Sequence, residues 1–184
     1  MKSVLISIQP KWCELIASGK KTVEVRKTRP KIETPFKVYI YCTNTKPYLA
    51  WGDEFCGGSW ETKFSSLKGY NKKDAERIFD IFNGKVIGEF VCDRIEDCRD
   101  INIDVTCLTV PEWLKYTKGH KGNVWGWHIS NLVIYDKPKE LGEFRKYIGI
   151  FDGATEKELE ELGILDARIK RPPQSWCYVE EGAE

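Results

Sequence analysis

The chain opens on an almost unbroken apolar run. Val4-Leu5-Ile6-Ser7-Ile8 sets one hydroxyl among aliphatic side chains, which predicts a largely buried first strand. Pro10 then opens a short helix, Lys11 to Ser18, with Trp12, Leu15 and Ile16 on one face. Proline suits the first helical turn, and Gly19 suits the position past the last. From Thr22 to Lys27 β-branched and charged residues alternate. That pattern predicts a half-exposed strand with Val23 and Val25 on one side and Thr22, Glu24 and Arg26 on the other. Pro30 and Pro35 bracket a loop, and Lys37 to Cys42 reads as a third strand.

Between Thr43 and Gly84 the periodicity fades, apart from a helical pattern from about Lys72 to Phe82. This stretch reads as an insertion between two strands, a flap over a site. Lys85 to Asp93 is a strand that Arg94 to Cys98 prolongs, with Gly88 marking a bulge. Thr109 caps a short helix that has Pro111 in its first turn, and Gly119 to Asn123 is a loop. Trp125 to Tyr135 is a long strand whose alternation changes phase near Asn131. Pro138 to Leu141 starts a helix or turn, and Thr155 caps a charged helix ending at Leu162. Pro172-Pro173 then presents a last strand, Gln174 to Val179. The sum predicts an α+β, mostly β fold: a small mixed barrel with short flanking helices. Residues 1–184 form one domain in this reading, with the insertion at about 43–84 and a helical excursion at about 140–170.

Composition narrows the function. With 41% hydrophobic and 31% charged residues, the 184-residue chain is an ordinary folding sequence, enriched in aromatics. The formal net charge of +1 excludes a protein that coats polyanions through its overall field, so any nucleic-acid binding must come from a local patch. Seven cysteines without a C-x-x-C pair argue against a disulfide framework. Met1-Lys2-Ser3 leads straight into the first strand rather than into a secretory signal, and no apolar stretch approaches the ~20 residues needed to span a bilayer. The expectation is a cytoplasmic protein with no membrane partner. Cys107, His120 and His128 lack zinc-type spacing, so neither a metal nor a cofactor is expected. The Gly52 to Gly58 stretch is not a phosphate loop, and Ser7 and Ser175 lack the partners of a hydrolase triad.

The candidate chemistry gathers near the second strand. Glu24 and Arg26 leave the same face, and Lys21 sits in the preceding turn. Two cations and a carboxylate in so small a volume would bind a phosphate or polarise a carbonyl while the carboxylate takes a base N–H. The same residues suit a solvated strand face whose ion pairs are each worth under about 1 kcal/mol. Lys20, Lys21, Lys27, Arg29 and Lys31 crowd round Arg26 as a local basic cluster. Trp125 and Trp127 share a face that would either stack a base or seal a barrel end. Ser175 and Trp176 follow the stiff Pro172-Pro173, which would hold them at the cleft mouth. Trp12 packs its helix on the barrel, and His128 reads as a satisfied strand histidine.

Three stretches together resemble the ASCH branch of the PUA-like superfamily. The first runs from Ile6-Ser7-Ile8-Gln9-Pro10 to Ser18-Gly19-Lys20-Lys21-Thr22-Val23-Glu24-Val25-Arg26, similar to the family's strand, helix and G-x-K-T-x-E-x-R turn. The second is Lys85 to Phe90, and the third is Trp125 to Ile129 with Pro172 to Trp176. The resemblance implies a PUA-like barrel with a cleft beside the first helix, and RNA binding. One branch of the family hydrolyses the acetyl amide of N4-acetylcytidine with a Lys, a Thr and a Glu. Here Lys21 stands at the Lys position but Glu24 at the Thr position, and a carboxylate cannot form the same ester.

The first reading is therefore an RNA- or modified-nucleoside-binding protein whose site holds Lys20, Lys21, Glu24, Arg26, Trp127, Ser175 and Trp176. The alternative is a metal-independent hydrolase of a nucleoside amide or a ribonuclease, with Glu24 as general base and Lys21 as stabiliser. A third reading is an adaptor that binds a protein partner through the insertion.

Overall fold

The computed structural model describes residues 2–44, 83–119, 124–147, 156–161 and 167–180. The opening apolar run becomes β1 (Lys2–Ile8), and its uniformity has a positional cause. β1 lies inside the sheet, parallel to β3 (Phe36–Cys42) on one side and antiparallel to β6 (Trp176–Glu180) on the other. Both of its faces are covered. Val4, Ile6 and Ile8 join one apolar cluster with Val38, Ile40 and Phe90; Leu5 joins a second with Tyr39, Tyr41, Val86, Phe144 and Ile169. Strict alternation sends neighbouring residues of one strand into two different cores.

A parallel pair needs a crossover, and α1 (Pro10–Ala17) and β2 (Val23–Arg26) provide it. Pro10 fills the first helical turn, as its missing N–H allows. Gly19 ends the helix at φ +71°, its N–H bonded to the Ile16 carbonyl at 2.8 Å. β4 (Val86–Asp97) and β5 (Trp125–Lys139) form the long antiparallel pair, giving the order β2-β5-β4-β3-β1-β6. Between them lie a 3₁₀ turn (Ile103–Thr106) and α2 (Val110–Thr117). α2 carries a full capping box between Thr109 and Glu112.

The chain is a mostly β, half-barrel α+β fold. The sheet curls until its edge strands approach each other, and side chains rather than a backbone ladder join them. Arg26 at the end of β2 reaches Ser175, the Trp176 indole donates to Thr28 Oγ1 at 2.9 Å, and the Lys31 N–H donates to the Tyr178 hydroxyl at 2.6 Å. The late chain seals the outer face. A 3₁₀ turn (Leu141–Glu143) leads into buried Phe144, isolated bridges join Arg145 to Arg168 and Lys146 to Val179, and Ile169 is buried beside them. A helix, α3 (Glu156–Glu161), belongs to the same stretch.

Both predicted irregularities are present. The β4–β5 register shifts between Val86 and Gly88, and a Cβ on Gly88 would come within 2.4 Å of the Val133 carbonyl oxygen. A second shift falls where Glu89 and Val91 face Val133 and Ser130. There Asn131 adopts φ +46°, a left-handed conformation that asparagine tolerates. One expectation is corrected: β2 is not half-exposed. Val23, Glu24 and Val25 are all buried, because the loop and α2 close over this edge; Thr22 N–H bonds the Val105 carbonyl, and the Tyr116 hydroxyl bonds that of Val25. The predicted 72–82 helix, most of the 43–84 insertion, the 120–123 part of the predicted loop and Cys56 lie outside the described residues.

The described cysteines are all free thiols. Cys13, Cys42 and Cys92 are buried, and burial pushes the Cys92 thiol up to about 12. No helix among the described residues is long and apolar enough to cross a membrane.

The two crowded glycines of the β4–β5 pair should separate in a urea unfolding series. At Gly88 the nearest obstacle is backbone, whereas at Gly126 a Cβ would first meet the Ile101 and Val23 side chains, at 2.7 Å and 2.9 Å. Gly88→Ala should cost about 3 kcal/mol or more, and Gly126→Ala should stay near the lower end of the ~1–3 kcal/mol range for overpacking. Equal losses at the two positions would contradict the assigned strand contact.

Candidate functional site

The Gly19 turn sets the position of Lys21. Its backbone N–H bonds the Leu15 carbonyl at 2.9 Å, folding the turn back on α1 and aiming the side chain inward. β2 then presents Glu24 and Arg26 two residues apart on the same face. The three side chains meet. Lys21 Nζ lies 3.3 Å from Glu24 Oε2, and Arg26 Nη2 lies 3.0 Å from Glu24 Oε1. Each carboxylate oxygen thus faces its own cation.

Other parts of the chain fix this triad. Lys21 Nζ donates to the Thr106 carbonyl at 2.7 Å, across 85 residues of sequence. Arg26 Nη2 donates to the Ser7 carbonyl at 2.7 Å, and Nη1 reaches Ser175 Oγ at 3.4 Å. Ser7 is held in turn: its hydroxyl donates to the Pro173 carbonyl at 2.7 Å and its N–H to the Ser175 carbonyl at 2.9 Å. Exposure of the side chains is only 3% for Lys21, 8% for Glu24 and 12% for Arg26. Three formal charges in so little water interact more strongly than a surface pair, and removing them from water costs more. Arg26 Nε is buried with no hydrogen-bond partner among the described residues, leaving one donor of the guanidinium uncommitted.

Aromatic rings border the triad. Lys21 Nζ lies 5.1 Å from the Trp12 ring centre, and Lys11 Nζ lies 4.3 Å from the same ring. Burial raises the Tyr116 phenol above its usual range, and both Arg26 and Glu24 are close enough to act on it. Cys13 lies beneath; burial pushes its thiol well up, with Cys42 and the Glu24 carboxylate adding to the effect.

The remaining sequence candidates fall at different depths. Trp127 is fully buried, edge-on to Phe36 at 6.0 Å between ring centres and tilted against Trp176 at 5.9 Å. Its indole N–H has no partner among the described residues. Ser175 and Trp176 reach β2 and its following loop, through Arg26 and Thr28. Lys20 is exposed past α1, and no ion pair joins it to the triad among the described residues. His128 is a paired strand histidine: Nε2 lies 2.7 Å from Glu96 Oε2, and Arg94 is 3.3 Å from the ring nitrogens. Among the described residues no His, Cys, Asp and Glu cluster could hold a metal ion.

Sequence reasoning missed the Thr106 and Ser7 carbonyls and Tyr116. A backbone carbonyl carries no residue-type signal, and Tyr116 sits on a helix whose packing against β2 is a tertiary fact.

Comparisons with known proteins agree with this architecture. The model of the ASCH domain matches residues 6–132, which include the end of β1, the triad and the first half of β5. A crystal structure of a tyrosine-to-phenylalanine variant of the ASCH protein from Zymomonas mobilis superposes with a TM-score of 0.51 at 17% identity, covering 98% of this chain and 92% of that one. The structure titled simply as ASCH from Zymomonas mobilis gives 0.48 at 18% identity, covering 97% and 88%. At such identities the first likeness speaks for the fold alone. No curated protein matches the chain. With the model covering more than half of the sequence and the half-barrel in place, the chain belongs to the ASCH domain family.

Proposed function

We propose that the chain binds RNA or a modified nucleoside through the Lys21–Glu24–Arg26 triad. The observation that carries the reading is the placement of Glu24 between two cations in a nearly dry setting, 3.3 Å and 3.0 Å away. Its oxygens are held as fixed acceptors, suited to a base N–H. Two cations against one carboxylate leave a formal surplus of one positive charge, suited to a phosphate or carbonyl oxygen. Lys21 has a third N–H beyond the two it directs at Thr106 and Glu24, and Arg26 keeps Nε. Trp12 covers Lys21 on one side, and an aromatic face there would order a planar guest. The family's association with RNA supports the same reading.

Titration with short RNAs and modified nucleosides tests it. Lys21→Met and Arg26→Lys keep long side chains while removing a donor or the fork, and each should weaken binding about 10- to 100-fold, the range for a charge-assisted hydrogen bond. Unchanged affinity and salt slope in both variants would remove the triad from the binding site. Turnover decides between binding and hydrolysis: acetate release from N4-acetylcytidine, or RNA cleavage in EDTA, abolished by Glu24→Gln with binding retained, would make the protein an enzyme.

The triad also makes a stability prediction. Glu24→Ala leaves two buried cations without their carboxylate and should cost about 3–5 kcal/mol in urea unfolding, whereas Glu24→Gln keeps an acceptor and should cost less. Equal, small losses for both would mean that the cations reach water by another route.

A further inference from the structure

The loop after β2 is basic but not loose. Trp176 holds Thr28 through its indole N–H, and the Tyr178 hydroxyl accepts the Lys31 N–H, so β6 clamps the backbone on one side. Pro30 is buried, while Lys27, Arg29 and Lys31 are exposed at alternate positions. Aromatic residues from elsewhere in the chain meet these cations on the other side. Lys27 Nζ lies 5.1 Å from the ring centre of Tyr116 on α2, and the Arg29 guanidinium lies 4.4 Å from that of Trp125 on β5. Both rings are only half-buried. Trp125 stands opposite Arg26 in the β2–β5 register, so this surface begins where the triad ends.

The loop also lines an open hollow of about 460 Å³ bordered by Arg29, Pro30, Lys31, Ile32 and Glu33. Its lining combines two cations, two apolar surfaces and one carboxylate, Glu33. A clamped backbone loses little entropy when a ligand orders its side chains, which distinguishes this surface from a solubilising lysine patch.

We propose that the Lys27–Glu33 loop, with Tyr116 and Trp125, is a track for single-stranded RNA that leads out of the triad. The inference rests on the proposed function and narrows it: the natural ligand is a nucleotide within a strand rather than a free nucleoside. Bases stack along Tyr116, Trp125 and the Arg29 guanidinium plane, and phosphates meet Lys27, Arg29 and Lys31. Stacking needs unpaired bases, which excludes duplex; each ring stands paired with a cation, so an aromatic surface and a phosphate contact lie side by side, a combination that an acidic peptide without rings would use only in part.

Fluorescence anisotropy with a labelled oligoribonucleotide of about eight nucleotides, within the usual site size for one domain, decides the matter. It is run beside the same strand annealed to its complement, a polyglutamate competitor, and calorimetry with mononucleosides. The single strand should bind at least tenfold tighter than any mononucleoside, the duplex or polyglutamate. The double variant Lys27→Ala/Arg29→Ala, which removes exposed side chains only, should weaken the strand about tenfold or more. Its log–log salt slope should drop by roughly 1.4, about 0.7 per lost phosphate contact, while mononucleoside binding stays put. Trp125→Ala should weaken the strand about fivefold or more, read alongside a thermal melt. Lys137→Ala, at the opposite end of β5, should change nothing. A strand that binds no better than a mononucleoside, a silent double variant, or a preference for duplex or polyglutamate overturns the track. If mononucleosides still require Lys21 in that event, the triad reading survives alone; if neither ligand binds, the triad reading falls as well.

Discussion

Arg26 holds together parts of the chain that no backbone ladder connects. Its guanidinium touches Glu24 on its own strand, the Ser7 carbonyl on β1 and the Ser175 hydroxyl before β6. β2 and β6 are the two edges of a six-stranded sheet, and exposed edges are open to pairing with other chains. Curling the sheet hides them, but β2 and β6 do not continue the ladder into a closed barrel. A planar fork with five donors spread over three nitrogens can serve acceptors that lie apart, whereas a lysine directs its three donors from a single atom.

That closure brings charge into the interior. Arg26 is mostly covered, Glu24 balances it and Lys21 completes the set, so the seam and the triad are one construction. Buried ion groups are seldom the most stable way to fill such a space, since apolar side chains of similar volume often do as well or better. Stability alone therefore does not account for the three charges, which have Trp12 and Tyr116 beside them. Locally the charge is unbalanced: six of the chain's 29 Lys and Arg residues fall between Lys20 and Lys31, where Glu24 is the one acidic residue.

The two-faced sheet explains the rest of the chain. With Val4, Ile6 and Ile8 turned to one core and Leu5 to another, β1 needs cover on both sides, and the late segment around Phe144 and Ile169 provides the outer layer. The β4–β5 bulges at Gly88 and Asn131 relieve the strain of bending two long strands around that core.

Much of this was written in the linear chain. The apolar run of β1, the Pro10 start and Gly19 stop of α1, the Thr109 cap and both β-bulges follow from residue type and spacing, because they depend on backbone chemistry within a few positions. The turn-and-strand motif likewise placed Lys21, Glu24 and Arg26 as neighbours. Sequence alone left open whether those charges face water, and predicted a half-exposed β2. Tertiary structure decided that they are buried, that Thr106 and Ser7 hold them by carbonyls with no sequence signature, and that Tyr116 and Trp125 lie beside Lys27 and Arg29. The seam itself joins Arg26 to Ser175, 149 positions apart, and that contact exists only because the curled sheet brings its two edges together.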